Sequence, residues 1–312
     1  MGKKVSIGVD VGGSHISSAA YIIDEKRFLL QTLAEKSLDN KKPSYEIIFT
    51  WAETISETIE RVKPLEISGI GFAMPGPFNY YKGIALFQGM TNKYENLYGV
   101  NVGCEISKAL GLAENIPVRF INDAAAFAIG ESIAGSAAGA SRCLAITLGT
   151  GFGSAFLLDQ IPVVSGETVP PKGMFYHLPF ENGIADDYFS TRGLLGRYFE
   201  QTGEHLTGAR ELAIKASDNT LAREIFRDFG TKLGIFLKPW ILKSGVEVLV
   251  IGGNISKAFN MFGDSLVKVY SESGIALKIN ISELKERASI IGGAALTDDD
   301  YYNKLRPVIE NT

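Results

Sequence analysis

The sequence contains few of the residues that build disulfide and metal frameworks. Its 312 residues include two cysteines and three histidines. Two cysteines cannot form a disulfide framework, and by themselves they do not complete a structural zinc site. Cys104 and Cys143 each lie in an apolar stretch, which is the usual setting of a buried thiol. We therefore interpret both as packing residues.

The chain also lacks a long hydrophobic run and an excess of positive charge. No run of about 18 apolar residues occurs, and the N-terminal apolar run is interrupted by Asp10 and Gly12-Gly13, so neither a membrane span nor a signal peptide is predicted. The net charge of -4 argues against a broad surface for nucleic acid or anionic lipid. We expect a cytoplasmic protein with no nucleic-acid and no membrane partner. An anionic ligand must then be held locally, by backbone N–H groups, helix N-termini and a metal ion.

Length and pattern predict a two-domain α/β protein. A chain of 312 residues exceeds what one hydrophobic core usually supports. Residues 5–23 and 143–158 are each predicted to form a strand, a glycine-rich turn and a second strand, which indicates a weak internal repeat. Strands alternate with helices through the second half, which predicts mixed sheets with helical cover. The last helix is predicted to begin at Gly292-Gly293.

Three glycine-rich turns follow predicted strands, at residues 10–14 (DVGGS), 147–153 (TLGTGFG) and 252–256 (GGNIS). Glycines let a phosphate approach backbone N–H groups closely, and a strand-end carboxylate such as Asp10 can hold magnesium. Taken singly, the first two turns are explained equally well as hairpins, and the third nearly as well as close helix–strand packing. Together they favour a triphosphate held between two facing sheets.

The dipeptide Asn122-Asp123 carries the acid–base hypothesis. It lies where a predicted strand ends and a helix of small residues begins, so a plain N-cap is the alternative explanation. Phosphoryl transfer to an alcohol needs a carboxylate within hydrogen-bond reach of the attacking hydroxyl, and magnesium to offset the developing charge. The helix N-terminus is expected to keep Asp123 ionised. Combined with the glycine turns, this position favours Asp123 as a general base.

In this order, the motifs resemble those of the ROK family of sugar kinases and related repressors, within the actin, hexokinase and Hsp70 superfamily. The correspondence covers nearly the whole chain. Residues 10–14 and 147–153 resemble the two phosphate motifs, 74–77 (MPGP) a characteristic turn, 122–131 (NDAAAFAIGE) the catalytic motif, and 251–256 (IGGNIS) the adenosine-side motif. Each motif alone is weak, whereas the ordered set is specific.

The resemblance implies an α/β, two-domain actin-like ATPase (ribonuclease H-like) fold with mixed sheets, helical cover and an interdomain cleft. It implies an N-terminal domain at residues 1–122, on which a C-terminal helix at about 293–312 packs back, and a C-terminal domain at 123–292. The implied activity is glucokinase-like, the phosphorylation of a hexose at its 6-hydroxyl with ATP and Mg²⁺. Homodimers are usual among such kinases.

The resemblance also implies roles for individual residues. Asp123 is the general base, Asn122 and Gly76 lie at the sugar, and Asp10 serves magnesium. Gly253 lies beside the adenosine. The ATP phosphates contact residues of the first two turns, namely Gly12, Gly13, Ser14, Thr150 and Gly151.

The expected sugar-binding region departs from the family pattern. The family has a Glu-x-Gly-His element and then a cysteine-rich zinc site, whereas Met174 replaces the glutamate and residues 178–190 contain no cysteine. His177 aligns with the motif histidine, which in the family can serve zinc and touch the sugar; the alternative is an ordinary loop residue. Asp186 is interpreted as a substitute for a second sugar-contacting glutamate. We expect no structural zinc.

Several functions stay open on the sequence alone. Glucose, mannose, fructose, allose and N-acylhexosamines all fit, and an N-acylhexosamine or fructose kinase is the main alternative to a glucokinase, because Met174 could contact an apolar substituent. A sugar-sensing repressor is disfavoured, since the first predicted strand begins at residue 5 and leaves no room for a DNA-binding domain. A non-catalytic sugar- or nucleotide-binding relative is the third class; Met174 favours it, and Asp123 and the glycine turns oppose it.

Overall fold

A computed structural model describes residues 4–89 and 93–312. They divide into two compact units. The first contains the described residues up to Gly135 together with Glu286–Thr312, and the second contains Ser136–Lys285. Each unit is built on one five-stranded sheet.

The strands and helices alternate along the chain, with short two-residue strands in the connections. The strands are β1 Lys4–Val11, β2 His15–Ile22, β3 Arg27–Ser37, β4 Glu66–Met74, β5 Phe78–Asn79, β6 Ile84–Ala85, β7 Val118–Asn122, β8 Arg142–Leu148, β9 Phe152–Leu158, β10 Ile161–Val163, β11 Pro179–Phe180, β12 Gly183–Ile184, β13 Val248–Gly252 and β14 Lys278–Ile281. The helices are α1 Ser44–Val62, α2 Val102–Leu110, α3 Asp123–Ala134, α4 Ala185–Tyr188, α5 Thr191–Thr202, α6 Ala209–Lys215, α7 Thr220–Ser244, α8 Phe259–Ser271, α9 Glu286–Ala295 and α10 Asp299–Ile309.

The sheet of the first unit has the order β3-β2-β1-β4-β7. The pairs β1–β2 and β2–β3 are antiparallel, and the pairs β1–β4 and β4–β7 are parallel. The two faces of β1 differ because side chains alternate along a strand. Val5, Ile7 and Val9 are fully buried on one face, where α1 packs through residues such as Trp51.

The opposite face of β1 carries small and polar residues, and α9 covers it. Gly8 in β1 and Gly71 in β4 are paired across the sheet. A Cβ atom at Gly8 would overlap the carbonyl oxygen of Ile290, and one at Gly71 would overlap that of Gly293. The helix backbone therefore rests directly on the backbone of the sheet, a packing that only glycine permits.

The same helix crosses α3 at equally short range. A Cβ at Gly130 of α3 would overlap the carbonyl oxygen of Ala288, and a Cβ at Gly292 of α9 would overlap that of Ala126. Each helix thus contributes one alanine and, four residues later, one glycine to a reciprocal crossing. Residues four apart lie on one face of a helix, so both contacts form at once.

This packing corrects the predicted start of the last helix. Gly292 and Gly293 lie inside α9, which begins at Glu286, and a further helix, α10, follows. The glycine pair, interpreted from sequence as a helix start, instead serves close approach to α3 and the sheet.

The predicted domain boundaries at 122/123 and 292/293 also differ from the two units. The helix α3 packs on α9 and on β4 and β7, so the first unit continues to Gly135 and resumes at Glu286. The physical reason is the crossing of α3 and α9, which holds both helices in one unit.

The sheet of the second unit has the order β10-β9-β8-β13-β14. The pairs β8–β9 and β9–β10 are antiparallel, and the pairs β8–β13 and β13–β14 are parallel. Its core is rich in aromatic residues from β9, the segment around Phe175, and the long helix α7, which packs on α8. None of the helices among the described residues is both long and apolar enough to span a membrane.

The two sheets repeat one topology. Position by position, β1, β2, β3, β4 and β7 correspond to β8, β9, β10, β13 and β14, with the same parallel and antiparallel pairings. The predicted mixed α/β fold and its internal repeat are confirmed. The helices after the fifth strands, α3 and α9, also correspond.

The close contact of α9 with α3 predicts that a methyl group added at Gly292 destabilises the protein. We expect Gly292→Ala to lower the free energy of unfolding by about 2 kcal/mol, because the new methyl group would overlap a backbone carbonyl of α3. Chemical denaturation of the purified variant measures the change.

The matched control is Gly196→Ala in α5, where a Cβ atom would meet nothing within 4 Å. In that helix the loss of backbone freedom in the unfolded chain should raise stability by up to about 1 kcal/mol. Equal effects of the two substitutions would contradict the close packing.

Candidate active site

Three of the predicted functional segments meet at one edge of the first sheet. Across the parallel strands, Asp10 is paired with Ala73, and Met74 is paired with Asn122. The carboxyl ends of β1, β4 and β7 therefore lie side by side. This edge of an α/β sheet is where ligands commonly bind.

Asp123 is the first residue of α3, and its carboxylate is held in place. Its Oδ1 accepts hydrogen bonds from the N–H of Ala124 at 2.8 Å and from Asn122 Nδ2 at 3.0 Å. Burial raises the pKa of Asp123, against the lowering effects of these bonds and of the positive charge on Lys93. Desolvation thus outweighs the lowering effect of the helix N-terminus on this pKa, and the ionised state expected for Asp123 stays a prediction. A raised pKa makes the carboxylate a stronger base.

Of the dipeptide Asn122-Asp123, it is Asn122 that caps α3. Its Oδ1 accepts from the N–H groups of Ala124 and Ala125, at 3.1 and 3.3 Å. Its Nδ2 lies 3.2 Å from the hydroxyl oxygen of Tyr80, and that hydroxyl would be 3.3 Å from a Cβ at Gly76. The Tyr80 hydroxyl also donates to the carbonyl of Met74 at 3.3 Å, so Tyr80 connects the end of β4 to the start of α3.

Asp10 lies in a strongly acidic setting at the end of β1. Burial raises the pKa of Asp10 to about 8, and the negative charges of Asp123 and Glu286 act in the same direction. Parity along β1 directs Asp10 to the face of Gly8, on which α3 and α9 begin with these two acids. A divalent cation would relieve this accumulation of negative charge, and Mg²⁺ commonly uses one or two protein carboxylates beside substrate phosphates. The residues present therefore fit a magnesium ion on Asp10.

The first glycine turn has its carbonyl groups tied back. The hydroxyl of Tyr94 donates to the carbonyl of Gly12 at 2.5 Å, and Asn40 Nδ2 donates to that of Gly13. In a trans peptide the N–H points opposite to the C=O, so the N–H groups of Gly13 and Ser14 point away from these partners. Neither N–H has an acceptor among residues 4–89 and 93–312, whereas that of Gly12 is bonded within the turn.

The second glycine turn repeats this arrangement in the other unit. The N–H of Gly149 donates within the turn to the carbonyl of Gly151 at 3.1 Å, and the N–H of Phe152 donates to Asp186 Oδ1 at 2.7 Å. Within the described part of the chain, the N–H groups of Thr150 and Gly151 have no acceptor. Two adjacent free N–H groups form a concave donor site for an anion.

Asp186 therefore has a structural role that the sequence did not indicate. Besides Phe152, it pairs with Arg192 at 3.2 Å, and Arg192 also pairs with Asp187 at 2.8 Å. Both oxygens of Asp186 are thus engaged, Oδ1 by the second glycine turn and Oδ2 by Arg192 in α5. Its predicted contact with a sugar stays a prediction.

The third glycine motif lies against the second. Gly253 has a φ of 82°, and a Cβ there would overlap the backbone of Leu148, which belongs to the second glycine turn. Close backbone packing, one of the two sequence interpretations, is therefore present. The position beside the adenosine stays a prediction.

The expected zinc and sugar region lies on irregular segments of the second unit. His177 is exposed and its ring contacts that of Tyr176, at 4.9 Å between centroids. Met174 is partly buried. In the described ranges, no group of three or more His, Cys, Asp or Glu side chains is arranged to hold a metal ion.

Sequence reasoning missed four residues that shape the site. Tyr80 connects the end of β4 to Asn122, Tyr94 fixes the first glycine turn, Glu286 adds negative charge at Asp10, and Lys93 adds positive charge at Asp123. The segment that carries the tyrosines and Lys93 has no hydrophobic period, so its pattern indicates only an ordered loop. No local signal in the sequence connects it to the glycine turn.

The pKa of Asp10 gives a prediction on stability. The pKa of Asp10 is about 8 in the folded state and about 3.9 in the unfolded state, so the folded state binds the Asp10 proton more tightly. The stabilisation that results is fully present below about pH 3.9 and is lost as the pH rises toward 8. We expect Asp10→Asn to be more stable than the parent in EDTA, by about 1–2 kcal/mol more at pH 8.5 than at pH 5.5. Chemical denaturation at the two pH values measures this difference.

The exposed Asp24 provides the control for loss of one negative charge. Asp24→Asn should not reproduce the pH-dependent gain. A gain for Asp10→Asn that is the same at both pH values would contradict the raised pKa.

Comparison with known proteins agrees with this geometry. Residues 6–300 match the model of the ROK family. A glucokinase of Thermotoga maritima is 30% identical and covers 95% of this chain and 98% of its own length. An N-acetyl-D-glucosamine kinase of Photobacterium profundum is 25% identical over 80% of this chain and 84% of its own.

A solved structure shows the fold. The ROK family glucokinase of Streptomyces griseus, in complex with glucose and AMPPNP, superposes with a TM-score of 0.71 at 19% identity, over 94% of this chain and 98% of that one. The fold is thus the actin-like ATPase fold of the ROK sugar kinases. With a family model that spans nearly all of its length, the chain belongs to the ROK family.

Proposed function

We propose that this protein is an ATP-dependent hexose kinase that transfers the γ-phosphoryl group to the sugar 6-hydroxyl. One observation carries the proposal: a fixed carboxylate with a raised pKa, that of Asp123, lies on the same sheet edge as a glycine turn with free N–H groups. A general base and a phosphate-binding backbone are the two parts that phosphoryl transfer to an alcohol needs.

The residues divide the work as follows. Asp123 accepts the proton of the attacking hydroxyl. Asn122 Nδ2 donates to the sugar in place of its partner Tyr80 or Asp123. The N–H groups of Gly13 and Ser14 bind the phosphates of ATP. Asp10 would hold Mg²⁺, which would supply charge neutralisation on the phosphate oxygens.

In the second unit, we propose that the N–H groups of Thr150 and Gly151 bind phosphate oxygens and that Gly253 lies beside the adenosine. The free N–H groups at the second turn support the first assignment. For Gly12, whose N–H is already bonded, the absence of a side chain is the useful property.

The identity of the hexose is the least constrained part. Glucose is favoured by the likeness to the Thermotoga glucokinase, and an N-acylhexosamine by the likeness to the Photobacterium enzyme. The sugar contacts of His177, Asp186 and Gly76 remain proposals, as do the homodimer, the cytoplasmic location, and the absence of structural zinc and of a nucleic-acid partner. A fructose kinase and a non-catalytic sugar-binding relative are the two further candidates.

A sugar panel tests the proposal. Glucose, mannose, fructose, allose and two N-acetylhexosamines are each incubated with the protein, ATP and Mg²⁺, and ADP release is followed by a coupled assay. We expect turnover with at least one hexose, and phosphorus NMR of the product should place the phosphate on the 6-oxygen. Absence of sugar-dependent ADP release would favour the non-catalytic relative.

The role of Asp123 gives a second prediction. Because Asn122 supplies the cap of α3, Asp123→Asn should fold normally while kcat falls by at least about 100-fold, the usual contribution of a general base. The KM values for sugar and ATP should change little. Steady-state kinetics on the best sugar of the panel measures both.

Asp300→Asn on α10 is the control for an exposed aspartate near a helix N-terminus. It should keep full activity. If Asp123→Asn also turned over at the parent rate, Asp123 would not be the base.

A further inference from the structure

Lys93 lies over the first glycine turn. Its Nζ and Cε are each 3.1 Å from the position that a Cβ at Gly13 would take. The side chain is partly buried, and its charge also acts on Asp123. One ammonium group therefore lies near both the phosphate-binding backbone and the general base.

The neighbouring residue holds Lys93 in this position. Tyr94 is completely buried, its hydroxyl donates to the carbonyl of Gly12, and its N–H donates to the carbonyl of Asn40 at 3.2 Å. Asn40 in turn donates to the carbonyl of Gly13. Lys93 thus comes from a segment that is bonded to the turn itself.

The charge of Lys93 is not consumed by an ion pair. Among residues 4–89 and 93–312, Lys93 has no carboxylate partner within 4.0 Å, although Asp10, Asp123 and Glu286 make this edge of the sheet acidic. A phosphoryl group that approaches a hydroxyl beside Asp123 brings further negative charge. An unpaired cation at this point would offset it.

From this position we infer that Lys93 is a catalytic residue whose ammonium group donates a hydrogen bond to a non-bridging oxygen of the transferred γ-phosphoryl group. The inference rests on the proposed kinase function. In the step, the bond from the γ-phosphorus to the β–γ bridging oxygen breaks, and a bond from the sugar oxygen to that phosphorus forms. The hydroxyl proton passes to Asp123, ADP leaves with the bridging oxygen, and Lys93 stays protonated throughout.

The kinetic test compares Lys93→Met with Lys93→Arg on the best sugar of the panel. Removing one charged donor to a transferring group typically costs about 100- to 1,000-fold in rate, so kcat of Lys93→Met should fall by at least about 100-fold. The KM for sugar should stay within about threefold. Lys93→Arg, which keeps the charge, should recover at least about tenfold of the loss.

Lys41→Met is the matched control. Lys41 is exposed in the same unit, and its loss removes one positive charge without touching the glycine turn, so kcat should be unchanged. A kcat of Lys93→Met within about threefold of the parent, or a loss confined to the KM for sugar, would overturn the inference.

A binding measurement separates failure of this inference from failure of the proposed function. Calorimetry without sugar gives the affinities for ADP and for the β,γ-imido analogue of ATP, both with Mg²⁺. If the parent protein phosphorylates no sugar of the panel, the kinase proposal fails and this measurement decides on Lys93. Tighter binding of the analogue than of ADP by the parent, with no such preference in Lys93→Met, supports a γ-phosphate contact. If the parent is inactive and the ratio of the two affinities is the same in Lys93→Met, the contact is rejected.

Discussion

The candidate site depends on the backbone contact between α9 and the elements beneath and beside it. Glycines at positions 8, 71, 130 and 292 remove the side chains that would otherwise separate these backbones. The contact holds the first residues of α3 and α9, Asp123 and Glu286, close enough to Asp10 for their charges to raise its pKa. An interhelical spacing set by larger side chains would spread the three acids apart and weaken their mutual repulsion. The acidity of the site is thus a product of packing.

The repeated sheet topology explains why the glycine turns look alike. The first two glycine turns each follow the strand of their sheet that comes first in the chain, at β1–β2 in one unit and β8–β9 in the other. In both, some bonds are satisfied within the turn or by a neighbouring segment, and two adjacent N–H groups stay free among the described residues. The partners differ: Tyr94 and Asn40 fix the first turn, whereas Asp186 fixes the second. The two sheets therefore reach the same donor geometry through unrelated side chains.

Local signals in the sequence predicted much of the fold. Apolar runs and glycine turns located most strands to within a few residues, and the strand–turn–strand repeat revealed the common topology of the two sheets. The prediction failed where a residue serves a distant partner. Gly292-Gly293 was interpreted as a helix start, because nothing nearby shows that Ala126 and Gly71 lie against it. The domain boundary at 122/123 was displaced for the same reason, since it depends on which helix α3 crosses.

In the candidate site too, local motifs were predicted from the sequence, whereas features that depend on distant residues were not. Asp10, Asp123 and the glycines were found because they belong to short motifs. The raised pKa of Asp123 was not predicted, because burial is a property of the folded unit. Lys93 was missed because a long stretch of sequence, including five strands and a helix, separates it from the turn it covers.

The four glycines of the α9 contact also limit how this protein can evolve. None of them is proposed to touch ATP or sugar, yet each would place a methyl group on a carbonyl oxygen if it became alanine. Substitutions of these glycines are therefore not tolerated unless a neighbouring segment moves at the same time. In distant descendants of this fold, whose substrate pockets have changed beyond recognition, these buried positions should still hold glycine and would mark common ancestry when the chemistry no longer does.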